Sequence, residues 1–211
     1  EFVQTAGWQP IDAGLKATRV STIIESLGGS ALYGNRPMVA VRELISNGAD
    51  SVRARRTQCG GCGLRVEVSR EGKEEGWILR VSDNGIGMSP KRMVRGLTDF
   101  GNSQWTSPDL LAEYPGLATK GYRATGRFGI GFFAAFMVAD RISVRSLKFR
   151  EASSNTHLLE FSGGARVRPL LRVAEEDEQL DGGGTEVALW LRHAPISEKG
   201  LFETTVSKRS V

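Results

Sequence analysis

The stretch Arg-Glu-Leu-Ile-Ser-Asn-Gly-Ala-Asp-Ser-Val (residues 42–52) decides how the rest of the chain is interpreted. Its apolar residues recur at helical spacing, which predicts a helix. On that helix Glu43, Asn47 and Asp50 lie along one stripe, because residues three and four positions apart share a face. Burying polar groups among apolar residues costs free energy unless each group has a hydrogen-bonding partner. The stripe is therefore either a solvated face or one wall of a binding site, and this stretch alone leaves both open.

The composition is that of an ordinary globular protein. The 211 residues suffice for one sizeable α/β domain or two small ones, and 40% are apolar and 25% charged. No apolar run approaches the roughly 20 residues of a membrane-spanning helix, and the start shows no secretory signal pattern. Because the chain opens with Glu1-Phe2 rather than Met, we expect a fragment of a longer protein.

Two local features suggest further chemistry. Basic residues recur between Arg141 and Arg150, and a basic patch can bind nucleic acid, although a solvated surface is the simpler explanation. Cys59 and Cys62, in Cys-Gly-Gly-Cys, are the only cysteines, and two thiols are half of a tetrahedral zinc site. A redox-active pair of thiols is a second possibility. Two reduced thiols in a glycine-rich turn are the default, and they fit a cytoplasmic location.

Periodicity places most helices early and most strands late. Helices are predicted at 12–27, from Pro37 in the first turn to about Arg56, from the Ser89-Pro90 cap to about Leu97, and after Gly131 to near residue 138. Strands are predicted at 64–69, 77–82, 141–149, 157–161, 166–173 and 185–191. The short connections favour antiparallel neighbours. We therefore predict an α+β fold: a two-layer sandwich with a mixed, mostly antiparallel sheet and helices on one face.

Residues 98–125, here called the lid segment, lose this periodicity and become rich in Gly, Ser, Thr and Pro with scattered aromatic residues. Such a long irregular connection is uncommon in a compact domain unless it has a function. A lid over a binding site is the natural candidate.

Two glycine-containing motifs flank the lid segment. In the strand-end motif (residues 83–88, Asp-Asn-Gly-Ile-Gly-Met), Asp83 could accept a hydrogen bond from an exocyclic amine and Met88 could pack on a flat ring, but a tight turn also explains this sequence. The glycine loop (residues 126–132, Gly-Arg-Phe-Gly-Ile-Gly-Phe) precedes a helix, where backbone N–H groups can approach phosphates. It lacks the preceding strand and spacing of a dinucleotide-binding fingerprint and the Gly-Lys-Ser/Thr of a P-loop.

Taken together and in this order, residues 42–47, the strand-end motif and the glycine loop resemble the nucleotide-binding domain of the GHKL (Bergerat-fold) ATPases. This superfamily contains the Hsp90 chaperones, type II topoisomerase ATPase subunits, MutL repair proteins and histidine kinases. The three motifs are most similar to Hsp90, and Gly-Thr-Glu-Val (residues 184–187) resembles a late strand of the same family. The resemblance covers residues 17–191. We expect residues 1–195 to form the ATP-binding domain and residues 196–211 to lead towards a further domain.

The resemblance implies a role for each matching residue. Glu43 matches the general base, and Asn47 matches the Mg²⁺ ligand, for which one protein oxygen suffices because Mg²⁺ keeps several waters. Asp83 matches the acceptor for the adenine amino group, and Asp50 is expected near the ribose and base. The other implied nucleotide-binding positions are Gly87, Met88, Ser103, Gly126, Phe128, Gly129, Ile130, Gly131 and Thr185.

The lid segment departs from the family pattern. Asn102 stands where Hsp90 carries a lysine before the lid serine, and Arg127 is the candidate replacement for that basic contact. The lid segment also contains Trp105, Tyr114 and Tyr122, unlike the lid of Hsp90.

The implied function is that of an Hsp90-like chaperone ATPase module. It would bind Mg·ATP or ADP, close its lid and drive conformational change in a dimeric protein that engages client proteins. Two alternatives keep the fold: the ATPase domain of a DNA-processing protein related to topoisomerases or MutL, and a nucleotide sensor without efficient turnover. Phosphotransfer as in histidine kinases is disfavoured, because Glu43 is present and neither His157 nor His193 lies near it in sequence. No membrane partner is expected.

Overall fold

The computed structural model describes residues 36–59, 62–70, 76–126, 128–164 and 167–202. The helix predicted at 12–27 therefore lies outside the described residues. The α-helices are α1 (Met38–Arg56), α2 (Pro90–Thr98), α3 (Pro108–Glu113) and α4 (Gly116–Thr119). The strands are β1 (Leu64–Arg70), β2 (Trp77–Asp83), β3 (Ala139–Leu147), β4 (His157–Phe161), β5 (Leu170–Val173) and β6 (Gly184–Leu191). Three 3-10 helices span Gly131–Met137, Ser153–Asn155 and Glu176–Glu178.

The strands form one sheet in the order β1-β2-β6-β3-β4-β5. Every described pairing is antiparallel. The predicted α+β class with a mostly antiparallel sheet is confirmed. The short connections explain the pairs of consecutive strands, β1-β2, β3-β4 and β4-β5, because antiparallel neighbours need no crossover helix.

Three rows of side chains cross the sheet on its helix-covered face. Alternate residues of a strand share a face, so residues 79, 81 and 83 of β2 begin successive rows. The first two rows are apolar and buried: Leu79, Leu189, Ile142 and Phe161, then Val81, Val187, Val144 and Leu159. The third row is polar: Asp83, Thr185 and Ser146. The change from apolar to polar marks the edge of the core.

Helix α1, helix α2 and the Gly131–Met137 3-10 helix cover the apolar rows. The main core therefore includes residues such as Leu44 of α1, Met93 of α2 and Phe133 of the 3-10 helix together with the sheet. Helix α2 starts as predicted: Ser89 caps it by accepting from the Arg92 N–H at 3.4 Å, and Pro90 is in its first turn.

The lid segment is more ordered than predicted. It contains α3 and α4, and the start of α3 repeats the Ser-Pro signal seen at α2, since Ser107 accepts from the Leu110 N–H at 3.2 Å. The segment builds its own apolar cluster, the lid cluster, on α1 and the strand-end motif. Its buried members are Ala54, Ile86, Trp105, Leu110, Tyr114 and Leu117.

Three other elements differ from the sequence prediction, one in helix type and two in their bounds. The helix after the glycine loop is a 3-10 helix, with bonds such as Phe133 N–H to Ile130 O at 3.1 Å. Strand β3 begins at Ala139, before the predicted start, because a bulge between Ala139 and Arg141 hides its alternation. Strand β5 is limited to Leu170–Val173.

None of the helices in the described ranges has the length and apolar character needed to cross a membrane. Leu201, which lies in the segment predicted to lead towards another domain, is 4% exposed and packs in the main core.

Candidate functional site

Two adjoining cavities lie between α1, the polar end of the sheet and the lid segment. The inner cavity holds about 490 Å³ of atom-free space including its mouth, and Asp83, Thr185 and Met88 are among its lining residues. The outer cavity holds about 1110 Å³ by the same measure and is lined by Glu43 and the glycine loop. Because the two linings share residues such as Asn47, the two cavities together are the candidate ligand site.

The sequence prediction selected residues that the fold brings together. Except for Asp50, each predicted site residue lines at least one of the two cavities, and Asn47 lines both. The inner cavity contains Asp83, Gly87, Met88 and Thr185. The outer cavity contains Glu43, Ser103, Gly126, Phe128, Gly129, Ile130 and Gly131.

Ser146 organises the inner cavity and was missed by the sequence analysis. This buried hydroxyl accepts from the Met88 N–H at 2.9 Å and lies 3.0 Å from the Gly184 carbonyl and 2.9 Å from the Thr185 hydroxyl. It therefore ties the strand-end motif to β6. No sequence pattern pointed to it, because Ser146 comes to lie opposite Thr185 only through the register of β3 and β6.

The Asp83 carboxyl group is the acidic centre of the inner cavity. Its Oδ1 accepts from the Gly85 N–H at 2.8 Å, and the Ser51 hydroxyl also bonds to it. Burial raises its pKa from 3.8 to about 7, with the Ser51 and Gly85 hydrogen bonds and the charge of Arg55 opposing that rise. Asp83 can therefore change its protonation state near neutral pH.

Two glycines make room at the site, Gly87 against backbone and Gly131 against the Glu43 side chain. Gly87 has φ +60°, and a Cβ there would overlap the Leu147 carbonyl oxygen. Gly131 faces Glu43, and a Cβ there would overlap Glu43 Oε2. A side chain at either position would fill space at the site, so both glycines keep the cavities open.

The outer cavity combines a carboxylate, an amide and exposed backbone. The Glu43 side chain is 25% exposed, and its Oε1 pairs with Arg42 Nη2 at 2.9 Å. Asn47 Oδ1 is 3.2 Å from the position that a Cβ on Gly126 would occupy. Phe128 is 77% exposed, which is unusual for so large an apolar side chain.

Asp50 lies beside the outer cavity rather than in its lining, with its Oδ2 3.6 Å from the position that a Cβ on Gly126 would occupy. Its fully buried carboxylate pairs with Arg53 and accepts from the N–H groups of Thr125 at 3.0 Å and Gly126 at 2.9 Å. It therefore fixes the start of the glycine loop to α1. The carboxylate oxygens of Asp50 therefore accept hydrogen bonds from within the chain.

Arg92 connects the strand-end motif to the lid segment. Its guanidinium is almost completely buried and donates to the Gly87 carbonyl at 3.1 Å, to Glu113 at 3.3 Å and to Gln104 at 3.4 Å. Burial lowers the pKa of Arg92, and the neighbouring Glu113 opposes that change. The sequence analysis missed this residue, although an arginine on the buried face of α2 was a signal that could have revealed it.

Further hydrogen bonds hold the lid segment against the site. The Tyr114 hydroxyl donates to the Ile86 carbonyl at 3.0 Å, and the Tyr122 hydroxyl donates to the Asp50 carbonyl at 2.8 Å. The Ser103 hydroxyl donates to the Gly126 carbonyl at 2.7 Å. Arg127, the candidate replacement for the family's lysine, lies outside the described residues.

The cysteine pair lies just beyond α1. Cys59 and Cys62 are both half-buried, and Cys62 Sγ is 3.9 Å from the Cys59 carbonyl. Burial raises the pKa of the Cys62 thiol. The described part of the chain contains no group of three or more His, Cys, Asp or Glu side chains placed to hold a metal ion, so the zinc hypothesis gains no further ligand there.

Comparison with known proteins agrees with this geometry. Residues 35–181 match the family model described as Histidine kinase-, DNA gyrase B-, and HSP90-like ATPase. The chain is 33% identical to the chaperone protein HtpG of Desulfotalea psychrophila over 147 residues, which are 67% of this chain and 23% of that protein. It is 32% identical to HtpG of Shewanella frigidimarina over 170 residues, 77% of this chain and 25% of that protein.

A third relative extends the match. HtpG of Wolinella succinogenes is 30% identical over 181 residues, 83% of this chain and 27% of that protein. The chain thus spans about a quarter of the length of these relatives. The family model covers more than half of the chain and includes Glu43, Asn47, the strand-end motif and the glycine loop. The chain belongs to the histidine kinase-, DNA gyrase B- and HSP90-like ATPase family.

Proposed function

We propose that this chain binds ATP and ADP with Mg²⁺ and hydrolyses ATP slowly, as the nucleotide-binding module of a longer Hsp90-like chaperone. One observation carries the proposal. Two cavities adjoin, with the Asp83 carboxyl group at one end and Glu43 beside Gly131 at the other. A ligand with a flat amine-bearing ring and an anionic tail matches the chemistry of both ends.

The base would bind in the inner cavity. Asp83 is an acceptor for the adenine amino group, with the Thr185 hydroxyl next to it on the neighbouring strand. Met88, Leu97 and Val187 supply apolar surface around the ring. Because the carboxyl group is buried, a ligand that donates a further hydrogen bond to its oxygens is favoured.

The phosphates would lie in the outer cavity. Gly129, Ile130 and Gly131 would donate backbone N–H groups, and the absence of a Cβ at Gly131 gives them access beside Glu43. The donor set fits Mg²⁺, since this ion takes oxygen ligands and Asn47 Oδ1 lies beside Gly126. When bound, Mg²⁺ would neutralise charge on the phosphate oxygens.

Glu43 would accept the proton of the attacking water. Its Oε1 is paired with Arg42, and its Oε2 faces Gly131 at the end of the glycine loop. The pair with Arg42 orients the carboxylate through Oε1. Its Oε2 stays directed at the part of the outer cavity proposed to hold the phosphates. A positioned base of this kind typically contributes about 10²–10⁴-fold to a rate.

The wider roles follow from the relatives, whose names describe them as chaperones. We propose that the full-length protein dimerises, acts on client proteins and works in the cytoplasm. The lid segment would close on bound nucleotide, because it already contacts Asp50, Ile86 and Arg92 at the site.

The DNA-processing alternative receives less support. Its basis was the basic run between Arg141 and Arg150, in which two of the four basic residues pair with carboxylates. Arg145 pairs with Glu186 at 2.5 Å, Arg141 stacks on Trp190 at 4.0 Å and Lys148 lies 3.4 Å from Glu151. Matched charges of this kind attract phosphate backbones weakly.

The test of the proposal is Glu43→Ala in the full-length protein. We expect Mg·ADP affinity by calorimetry to stay near wild type, while steady-state ATP turnover falls by at least about 100-fold. Glu67→Gln on β1, which removes an exposed carboxylate paired with Arg65, is the control and should change neither. Turnover that survives Glu43→Ala would remove Glu43 from the role of base.

A further inference from the structure

Trp105 occupies the boundary between the two cavities. It is 8% exposed and lines both of them. The other residues shared by the two linings are Asn47, Leu97, Gln104 and Phe132. A ligand that extends from Asp83 to Glu43 must pass this wall.

The Trp105 indole N–H is a buried donor without an acceptor in the described part of the chain. Buried donors are nearly always paired, so each exception calls for a physical explanation. The guanidinium groups of Arg55 and Arg92 also contain an unpaired Nε, but their terminal nitrogens make other hydrogen bonds. The indole has no second polar atom, so Trp105 makes no side-chain hydrogen bond at all within the described residues.

The position of the indole is fixed by its neighbours. The ring packs against Tyr122 with centroids 5.8 Å apart. Its Cδ1 atom, which is bonded to the nitrogen, is 3.5 Å from the position that a Cβ on Gly126 would occupy. Asn47 Oδ1 is 3.2 Å from the same position. The indole ring therefore lies at the start of the glycine loop, and the amide oxygen proposed to bind Mg²⁺ lies beside the same glycine.

We propose that the Trp105 Nε1–H donates a hydrogen bond to an oxygen in the sugar or first phosphate of the bound adenine nucleotide, an inference that rests on the proposed function. The base lies at Asp83 and the terminal phosphates lie at Glu43, so the middle of the nucleotide passes the shared wall. The ribose oxygens and the oxygens of the first phosphate can each accept a hydrogen bond, which matches a lone N–H donor. Trp105 thus adds a contact that the strand-end motif and glycine loop do not supply.

The first test is calorimetry with Mg·ADP on Trp105→Phe, which keeps an aromatic ring but removes the donor. We expect the affinity to fall by about tenfold or more, as for loss of a hydrogen bond to a charged or strongly polar group. Trp190→Phe is the matched control, because its indole N–H is also buried and unpaired within the described residues but lines neither cavity. That variant should bind ADP as the wild type does.

The second test is an NMR measurement on the wild-type protein, and it does not depend on a change in affinity. The Trp105 indole N–H resonance, identified by its absence from Trp105→Phe, should shift when ADP is added and stay in place when free adenine is added. An unmoved resonance at saturating ADP, or an equal or tighter ADP affinity in Trp105→Phe, would overturn the inference while leaving the proposed function intact. Absence of ADP binding by the wild type would overturn both.

Discussion

The sheet layer and the lid segment both bury leucines completely, but they are held together by different forces. Leu189 of β6 lies in the main core, where two apolar rows of the sheet meet two α-helices and a 3-10 helix. Leu110 of α3 lies in the lid cluster, which has few buried members and depends on α1 and the strand-end motif for its other side. Polar bonds from Arg92, Asp50 and Tyr114 complete the attachment of the lid segment.

This difference shows how one chain can combine a rigid site with a segment able to move. The sheet layer presents Asp83 and Thr185 from strands whose order does not depend on the lid. The lid segment gains its position from a small apolar cluster and from hydrogen bonds to residues of the site. Regions with few buried apolar contacts open at lower free energy than the core of a domain.

The largest expected effect comes from matched Leu→Ala substitutions in the two regions. Leu189→Ala should lower the free energy of unfolding by about 2–5 kcal/mol, because it leaves a cavity in the main core. Leu110→Ala should lower it by less, since the lid segment can open without unfolding the sheet. Urea denaturation measures both values, and hydrogen exchange should show faster exchange within α3 and α4 only.

Equal losses of stability in the two variants, with exchange raised throughout the chain, would contradict the distinction between the regions. The lid segment and the sheet would then form one cooperative unit.

The next effect concerns the charge pair that attaches the lid. Glu113→Gln removes the carboxylate beside the buried Arg92 guanidinium, so we expect a loss of about 1–3 kcal/mol and increased proteolysis near α3. Asp109→Asn on the same helix is the control, because its partners Lys91 and Arg95 are exposed. Because both partners of Asp109 are in solvent, its loss should be near-neutral, and a similar loss in both variants would argue against a special role for Arg92.

The last of these effects is a gradual pH dependence located in the sheet layer. Asp83 has an ordinary pKa of 3.8 that burial raises to about 7, so the folded protein binds its proton more tightly than the unfolded chain does. The contribution of Asp83 to stability is therefore present below pH 3.8 and is lost as pH rises towards about 7, with a slope of at most about 1.4 kcal/mol per pH unit.

Urea denaturation of wild type and Asp83→Asn across this pH range isolates the effect. The stability of the wild type relative to the variant should decrease as pH rises, because the amide side chain of the variant cannot titrate. A difference that is constant with pH would show that the pKa of Asp83 is not raised.

The sequence predicted the parts of this molecule that follow from local patterns. The helix containing Glu43 and Asn47, the Ser89-Pro90 cap and most strands were identified from periodicity and capping. The strand-end motif and glycine loop were recognised because their glycines and acidic residue are adjacent in sequence. Each of these signals depends on neighbours within a few positions.

The remaining features depend on contacts between distant segments. Ser146 meets Thr185 and Met88 only through strand register, and Arg92 reaches Glu113 only because α2 and α3 pack together. Asp50 was recognised as a polar residue of α1, but its partners Thr125 and Gly126 are about 75 positions away. No local pattern specifies such pairings, since they arise when the whole core is assembled.

The most direct test of the central claim is calorimetry with Mg·ADP on the wild-type chain and on Asp83→Asn. The sheet layer is proposed to recognise the adenine base through the Asp83 carboxyl group, with Thr185 and Ser146 in the same row. We predict measurable binding by the wild type and at least about tenfold weaker binding by the variant, since an acceptor for the adenine amino group is replaced by an amide. An affinity that is the same in both proteins would contradict the assignment of the base to this cavity.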